Sequence, residues 1–189
     1  MSNGFVTSRP GKRHGTVNDQ GVGEGVAAGK FTVPGSGLQR ITEIGHWMCK
    51  GASDPNIPVR MGILSHNSDI NRPQQYNSGG LVANSETSEQ SISNTSIAIK
   101  YWSYTDPVIV ISGVSYWLAW HKDMSNGGSL FSDRKNTGGT RCWNYEDYPT
   151  WPSDWTTEYE STYDVGAYAV YQSYIPMREF QYHYNHMRP

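Results

Sequence analysis

The sequence predicts an all-β protein, and three observations support that prediction. Apolar side chains alternate with polar ones within residues 95–120, as at Trp102 and Tyr104. Because every second side chain of a strand faces the same side, this period indicates sheet, whereas a helix needs apolar residues three and four apart. Turn residues such as Pro107 and Gly113 divide the stretch into consecutive strands. The chain is also rich in glycine and tyrosine, with 20 and 13 copies, which is more typical of all-β proteins than of α/β enzymes.

The elements before this stretch are an arm and two strands. Residues 1–37 are Gly-rich and polar, so they bury too little apolar surface to fold alone. We expect them to form an extended arm that is held by its own sandwich or by a neighbouring subunit. Residues 38–50 predict the first core strand, and the alternation across residues 59–63 predicts the second. His46 has apolar neighbours on its face of the first strand, so we interpret it as a hydrogen-bonded core histidine rather than a ligand.

After this stretch, residues 122–164 form a polar, Gly-rich connection, and the alternation of residues 165–174 predicts the closing strand. We therefore expect one β-sandwich domain over residues 38–174, since 189 residues are enough for one well-buried domain with extensions. Residues 175–189 are rich in tyrosine and histidine, and we expect them to form an extended tail.

Charge and hydropathy narrow the classes of partner. The net charge of −2 argues against binding nucleic acid through overall charge, and the basic cluster from Arg9 to His14 is better explained by a surface contact or by solubility. No apolar run approaches the ~20 residues that span a bilayer, so no membrane partner is expected. The first residues also lack the apolar core of a secretory signal. We expect synthesis in the cytoplasm and a location in a virion, with an extracellular location as the alternative.

Cys49 and Cys142 lie far apart in the sequence, and two alternatives stay open for them. A disulfide would join an early strand to a late segment of the chain. Two half-buried thiols are the other alternative, and the sequence does not choose between them.

The polar connection of residues 122–164 carries the main candidate binding site. Aromatic rings can stack on the CH-rich face of a sugar, and nearby polar side chains can hydrogen-bond to its hydroxyl groups. The candidate glycan-binding residues are Trp143, Tyr145, Tyr148, Trp151, Trp155 and Tyr159. Trp143, Trp151 and Trp155 would form the stacking platform. The alternative is that these rings pack the loop against the sheet.

The chain contains no motif that predicts an enzyme. It has no nucleophile elbow, no zinc-protease motif, no phosphate loop and no Cys-x-x-Cys pair. Carboxylates such as Asp147 and Glu158 are available for glycoside hydrolysis, but nothing in the sequence pairs two of them across a cleft. We therefore expect no catalytic residue, no cofactor and no bound metal.

Five stretches together resemble a known class of β-sandwich. They are ITEIGHWMCK, VRMGIL, WSYTDPVIVISGVSYWLAW, YPTWPSDW and VGAYAVY, all between Leu38 and Tyr171. Their order of strands and turns is similar to that of antiparallel jelly-roll, carbohydrate-binding-module-like sandwiches. Such sandwiches occur in phage capsid-decoration, neck and tail-fibre proteins and in secreted proteins.

This resemblance implies a non-enzymatic virion structural protein. Residues 1–37 and 175–189 lie outside the resembling module, and subunits use such extensions to attach to neighbours. The expected partners are therefore further copies of this chain and other virion proteins, with surface glycans as a further class of ligand for the outward loops. The alternative is an extracellular glycan-binding module that uses the aromatic loop as its platform.

Overall fold

The computed structural model of the protein is made of strands and loops. The described residues are 4–12, 15–19, 25–74, 80–123, 125–135, 138–144, 146–153, 155, 159–162 and 164–175. No helix occurs among them, and hence none that could cross a membrane. The predicted all-β class is confirmed.

The strands within these ranges form two sheets. The first sheet contains β1 (Gly4–Val6), β2 (Thr16–Asp19), β4 (Leu38–Lys50), β8 (Ala98–Ile111), β10 (Leu130–Lys135), β13 (Asp164–Val165) and β14 (Tyr168–Ser173). The second sheet contains β3 (Gly25–Thr32), β5 (Ile57–Asn67), β6 (Arg72–Pro73), β7 (Gln90–Ile92), β9 (Ser115–Lys122), β11 (Arg141–Asn144) and β12 (Tyr159–Ser161).

Two long strands hold the sheets together. In the first sheet, β4 pairs antiparallel with β8 from Leu38 opposite Ile111 to Met48 opposite Ala98, and its other edge pairs with β14 and β10. In the second sheet, β9 lies between β3 and β5 and pairs antiparallel with both. The strand predicted at residues 38–50 is therefore β4, and residues 95–120 contain β8 and β9. Residues 59–63 lie in β5, which is a neighbour of β9.

The main core lies between the two sheets, which confirms the sandwich. Alternate residues of each strand point inward, as the two-residue period requires. From the first sheet the core takes Phe5, Ile41, Ile44, Met48, Trp102, Val108, Val110, Leu130, Val165 and Ala169, and from the second Ala27, Ile57, Val59, Met61, Ile63, Ile92, Tyr116, Leu118 and Trp120. The strand order does not by itself confirm the jelly-roll connectivity.

The predicted boundary of the amino-terminal arm is wrong. Residues 25–32, which the sequence assigned to an arm over residues 1–37, form β3 in the interior of the second sheet. This strand pairs with β9 on one edge and with β11 on the other, and Val26, Ala27 and Ala28 are fully buried or nearly so. The sandwich therefore begins well before Leu38.

The first described residues are held by their own sandwich, which was one of the two expected alternatives. β1 pairs in parallel with β14, and the Phe5 ring enters the core with its centroid 6.2 Å from that of Tyr116. Arg9 reaches across the outer face of the first sheet, where its Nε donates to Glu43 at 2.9 Å and its guanidinium lies 3.4 Å from the Tyr101 ring centroid. Beyond residue 175, the predicted tail lies outside the described residues.

His46 was expected to be a hydrogen-bonded core histidine, and half of that expectation is right. The side chain is fully buried on the core side of β4, and its ring meets Trp120 edge to face at a centroid distance of 4.5 Å. Neither ring nitrogen has a hydrogen-bond partner among the described residues, so the expected hydrogen bond is not formed there. Burial, and secondarily the charge of Arg141, lower the pKa of His46 to about 3.

Cys49 and Cys142 are both buried thiols, and no disulfide joins them. Cys49 follows the core residue Met48 in β4, so it points to the outer face of the first sheet. Cys142 belongs to an apolar cluster on the outer face of the second sheet. The two sulfurs thus face away from each other across the whole sandwich, which excludes a disulfide in this fold.

Candidate functional site

The candidate site is built on the outer face of the second sheet, which the aromatic loop after β11 covers. A second apolar cluster, which we call the outer cluster, fills the space between loop and sheet. Its buried members are Val26, Ala28, Leu64, Trp117, Ala119, Cys142, Trp151 and Trp155. Ala28 and Ala119 are neighbours in the register of β3 and β9, and their small side chains leave room for the large rings above them.

Trp151 and Trp155 are structural members of the outer cluster, with exposed fractions of only 3% and 1%. Trp151 Nε1 donates to Glu86 Oε1 at 3.1 Å, and the Trp155 carbonyl accepts a hydrogen bond from Arg72 at 2.6 Å. A covered ring has no free face for a sugar. Their burial removes both residues from the proposed stacking platform and matches the alternative, in which the rings pack the loop against the sheet.

Trp143 is half-buried and faces the opposite way. Its neighbour Cys142 points into the outer cluster, so Trp143 lies on the inner face of β11 and packs against the main core. The Lys122 ammonium lies 4.9 Å from its ring centroid, and the Arg141 guanidinium lies 5.4 Å away. The three tryptophans of the predicted platform therefore do not share a surface.

Tyr148 is a half-buried candidate residue on the outer side of the second sheet, where its ring contacts His121. Of the other two tyrosines, Tyr145 lies outside the described residues and Tyr159 enters only through the backbone of β12. The Tyr148 hydroxyl donates to Glu89 Oε2 at 2.9 Å, and the Arg60 guanidinium lies 5.5 Å from its ring centroid. Burial, followed by the hydrogen bond to Glu89, raises the pKa of Tyr148, so its hydroxyl stays protonated at neutral pH.

Tyr148 belongs to a polar group at the edge of the loop, which we call the loop rim and which comprises Arg60, Glu86, Glu89 and Tyr148. Arg60 Nη1 lies 3.1 Å from Glu86 Oε1. Glu86 points outward because its neighbours Ser85 and Thr87 are buried against β5, where both side-chain oxygens accept backbone N–H groups. The same alternation places Arg60 on the outer face of β5.

His121 lies beneath the rim and packs against Tyr148. It is fully buried on the outer side of β9, and its ring contacts Tyr148 at a centroid distance of 4.9 Å and Trp151 at 5.7 Å. Its Nε2 lies 3.2 Å from the Glu146 carbonyl oxygen. Burial lowers the pKa of His121 to about 4, so the ring is neutral at pH 7, when Nε2–H can donate to that carbonyl.

The rim offers both signs of charge and one aromatic ring within a small area. Carboxylates and a guanidinium can accept from and donate to the hydroxyl groups of a sugar, and a half-exposed tyrosine can cover one face of it. These groups also bind one another, and their contacts fix the loop on the sheet. The contacts within the rim therefore hold the loop against the sheet. The rim also presents groups of the kind that bind a polar ligand.

Sequence reasoning missed Arg60, Glu86, Glu89 and His121. Two of them carried a usable signal, because strict alternation places Arg60 and His121 opposite their core neighbours on β5 and β9. The contacts themselves join distant segments, since Arg60 and Glu86 are 26 residues apart and Trp151 and Glu86 are 65 residues apart. No local sequence pattern predicts contacts between segments so far apart.

Comparisons with protein-family models, curated proteins and solved structures found no match to this chain.

Proposed function

We propose that the chain is a non-enzymatic structural protein of a virion, of the capsid-decoration, neck or tail-fibre kind, that assembles through its terminal segments. The observation that carries this proposal is an exposed apolar end of the sandwich. Four residues lie there, and we call them the terminal patch: Leu38, Ile111, Val114 and Ile175. Ile175 is also the first residue of the carboxyl-terminal tail.

The terminal patch places three exposed large apolar side chains near one end of the sandwich. The exposed fractions of Ile111, Val114 and Ile175 are 50%, 40% and 60%. Contiguous exposed apolar residues mark surfaces that other proteins cover. The virion setting is supported by the composition and by the resemblance of the strand pattern.

The tail supports assembly better than the amino-terminal arm does. Phe5 and Arg9 already bind the sandwich of their own chain, through the core and through Glu43. An arm segment with these partners has to leave them before it can bind a neighbour. Assembly through the arm remains a prediction without such direct support.

Light scattering of the intact chain over a range of concentrations tests the proposal. We expect the mean mass to rise with concentration toward multiples of the chain mass, and negative-stain electron microscopy of the assembled fraction to show rings, shells or filaments. A monomer at every concentration, alone and with other proteins of the same particle, would contradict a role in assembly.

A glycan-binding module is the second candidate, and the loop rim is the observation that favours it. Tyr148 presents a ring beside Arg60, Glu86 and Glu89, and this set matches the chemistry of sugar hydroxyl groups. The binding surface in this proposal is the rim, because Trp151 and Trp155 are buried.

A glycan array followed by titration of any bound sugar tests this second candidate. We expect Tyr148→Ala to weaken binding by about tenfold, a loss of roughly 1.4 kcal/mol. Tyr148→Phe keeps the ring and removes the hydroxyl, so it separates stacking from the contact to Glu89. Unchanged affinity in Tyr148→Ala would rule out the rim as the binding surface.

A further inference from the structure

We infer that the terminal patch is the docking surface for residues 176–189 of a second copy of this chain. This inference rests on the proposed assembly role and names its partner. It follows from the geometry of the patch, from its exposure and from the sequence of the segment that begins beside it.

Leu38 and Ile111 form the part of the patch that lies on the first sheet, and Ile175 follows the residue that pairs with Leu38. Leu38 lies directly opposite Ile111 in the register of β4 and β8, and the Tyr174 N–H donates to the Leu38 carbonyl at 3.0 Å. Gln39 and Val110 are buried neighbours in the next register position, so Leu38 and Ile111 point to the outer face. Directly opposed residues on one face have Cβ atoms about 5 Å apart, so their side chains form one surface.

The turn between β8 and β9 extends this surface. The Val114 N–H donates to the Ile111 carbonyl at 3.2 Å, which places the exposed Val114 at the same end of the sandwich. Two other large apolar side chains are exposed among the described residues, and both lie elsewhere. Tyr101 is partly covered by the Arg9 guanidinium, and Ile70 belongs to the turn after β5.

The tail has the pattern of a segment that can cover such a surface. Phe180, Tyr182 and Tyr184 alternate with polar residues, so an extended backbone would place three aromatic rings on one side. Aromatic side chains bury large areas when they pack against aliphatic ones. Leu38 and Ile111, which lie opposite each other on neighbouring strands, offer an aliphatic surface for such rings.

The length of the tail is sufficient to reach a neighbouring molecule. Ile175 precedes Pro176, and a residue before proline favours extended backbone. The 14 residues from 176 to 189, at about 3.3 Å each, reach up to ~46 Å. That length is comparable to the width of a small domain, so the tail of one copy can reach the patch of the next.

This contact is of the head-to-tail kind, because the tail and the patch are different surfaces of the chain. Each copy presents one tail and one patch, so every added copy leaves one of each unfilled. Head-to-tail contacts close into rings or continue as filaments, depending on the rotation between copies. Both outcomes are compatible with the proposed structural role.

The test uses the full-length chain with single substitutions and measures association by light scattering. We expect Val114→Asp and Ile111→Asp in the patch, and Tyr182→Asp in the tail, each to weaken self-association by at least about tenfold, because a carboxylate is then buried in an apolar contact. Ile70→Asp is the matched control, since it places the same charge on an exposed apolar residue outside the patch. It should leave association unchanged.

Mixing two defective variants separates docking between copies from docking within one chain. Val114→Asp keeps an intact tail, and Tyr182→Asp keeps an intact patch, so an equimolar mixture should form a heterodimer although each variant alone is monomeric. A mixture that stays monomeric would overturn the inference, as would patch variants that assemble like the wild type. If the wild-type chain itself never assembles, the proposed function fails first, so the two failures are distinguishable.

Thermal unfolding of each variant keeps the result interpretable. Ile111 and Val114 are exposed, so their replacement should leave the folded sandwich intact. If one patch variant fails to fold, the other patch variant and Tyr182→Asp still decide the outcome.

Discussion

At the scale of single residues, His46 is the side chain with the clearest consequence for stability. Its imidazole is fully buried against Trp120, without a hydrogen-bond partner among the described residues. Burial lowers its pKa from the ordinary value of 6.5 to about 3. Below pH 6.5 the unfolded chain therefore binds a proton that the folded chain rejects, and the stability of the fold decreases as the pH falls from 6.5 toward 3.

We predict that His46→Leu flattens this pH dependence. At about pH 4.5 the buried histidine should cost the wild-type chain roughly 3 kcal/mol of unfolding free energy relative to pH 7. Leucine fills a similar volume, does not titrate and leaves no polar atom unpaired, so the variant should be more stable than the wild type in acid. Urea unfolding at several pH values measures both free energies.

His121→Gln is a second variant that tests whether the two histidines contribute independently to the acid sensitivity. His121 also has a pKa lowered by burial, to about 4, so its replacement should remove a further part of the acid sensitivity without affecting the part that belongs to His46. Equal pH slopes in the wild type and in His46→Leu would show that His46 accepts a proton in the folded state.

Trp155 distinguishes a packing role from a binding role. It is 1% exposed within the outer cluster. We predict that Trp155→Ala lowers the unfolding free energy by about 3–5 kcal/mol, because it removes a large buried ring and leaves a cavity. Denaturant unfolding measures this loss, and Ile70→Ala, at an exposed site, serves as the reference. A change below about 0.5 kcal/mol for Trp155→Ala would contradict its place in the cluster.

At the scale of elements, β3 shows why part of the chain was misjudged. Its sequence, GVAAGKFT, has small residues where a strand usually carries large apolar ones. The structure explains this choice. A Cβ atom on Gly29 would lie 2.1 Å from the Val165 side chain, and Ala28 sits beneath the rings of the outer cluster. Close packing on both faces of β3 requires small side chains. Because a flexible arm is also rich in small residues, the sequence of β3 was assigned to the arm.

We predict that deletion of residues 1–37 unfolds the protein, whereas deletion of residues 1–12 does not. The longer deletion removes β3 and exposes the edges of β9 and β11, while the shorter one removes only β1 and the Arg9 contact. The loss of Phe5 from the core should make the shorter variant less stable than the full chain.

Circular dichroism and the dispersion of amide NMR signals measure this difference. A folded chain that begins at residue 38 would mean that the second sheet can form without its interior strand. The predictions for β4, β5 and β9 were confirmed because these strands are long and their alternation is regular. The turn predicted at Pro107 was wrong, because β8 runs from Ala98 to Ile111 and passes Pro107 with a register shift against β4 between Ile41 and Glu43.

At the scale of the whole molecule, the sandwich keeps its two cysteines on opposite outer faces. We predict that both thiols react slowly with Ellman's reagent in the folded protein, because both are buried and burial raises the pKa of Cys49. After unfolding without a reductant, two thiols per chain should react. If none reacts until a reductant is added, the chain contains the disulfide that this fold excludes.

The candidate site also belongs to this scale, because it exists only where the outer face of the second sheet meets several distant loops. The sequence singled out the aromatic loop as the candidate binding segment. It could not tell which rings face the protein, since Trp143 faces the main core while Trp151 and Trp155 fill the outer cluster. That distinction depends on contacts with Leu64 and Trp117, which lie far away in the chain.

By itself, the sequence determined the all-β class, the long central strands and the inward faces of β4 and β5, because these follow from the alternation of neighbouring residues. Tertiary structure decided the rest. It placed residues 25–32 in a sheet rather than in an arm and put Cys49 and Cys142 on opposite faces. It also buried two of the three tryptophans of the expected sugar platform and brought Arg60 next to Glu86 at the rim. These outcomes depend on which segments pack together, and packing is set by the shape and volume of distant side chains rather than by any local period.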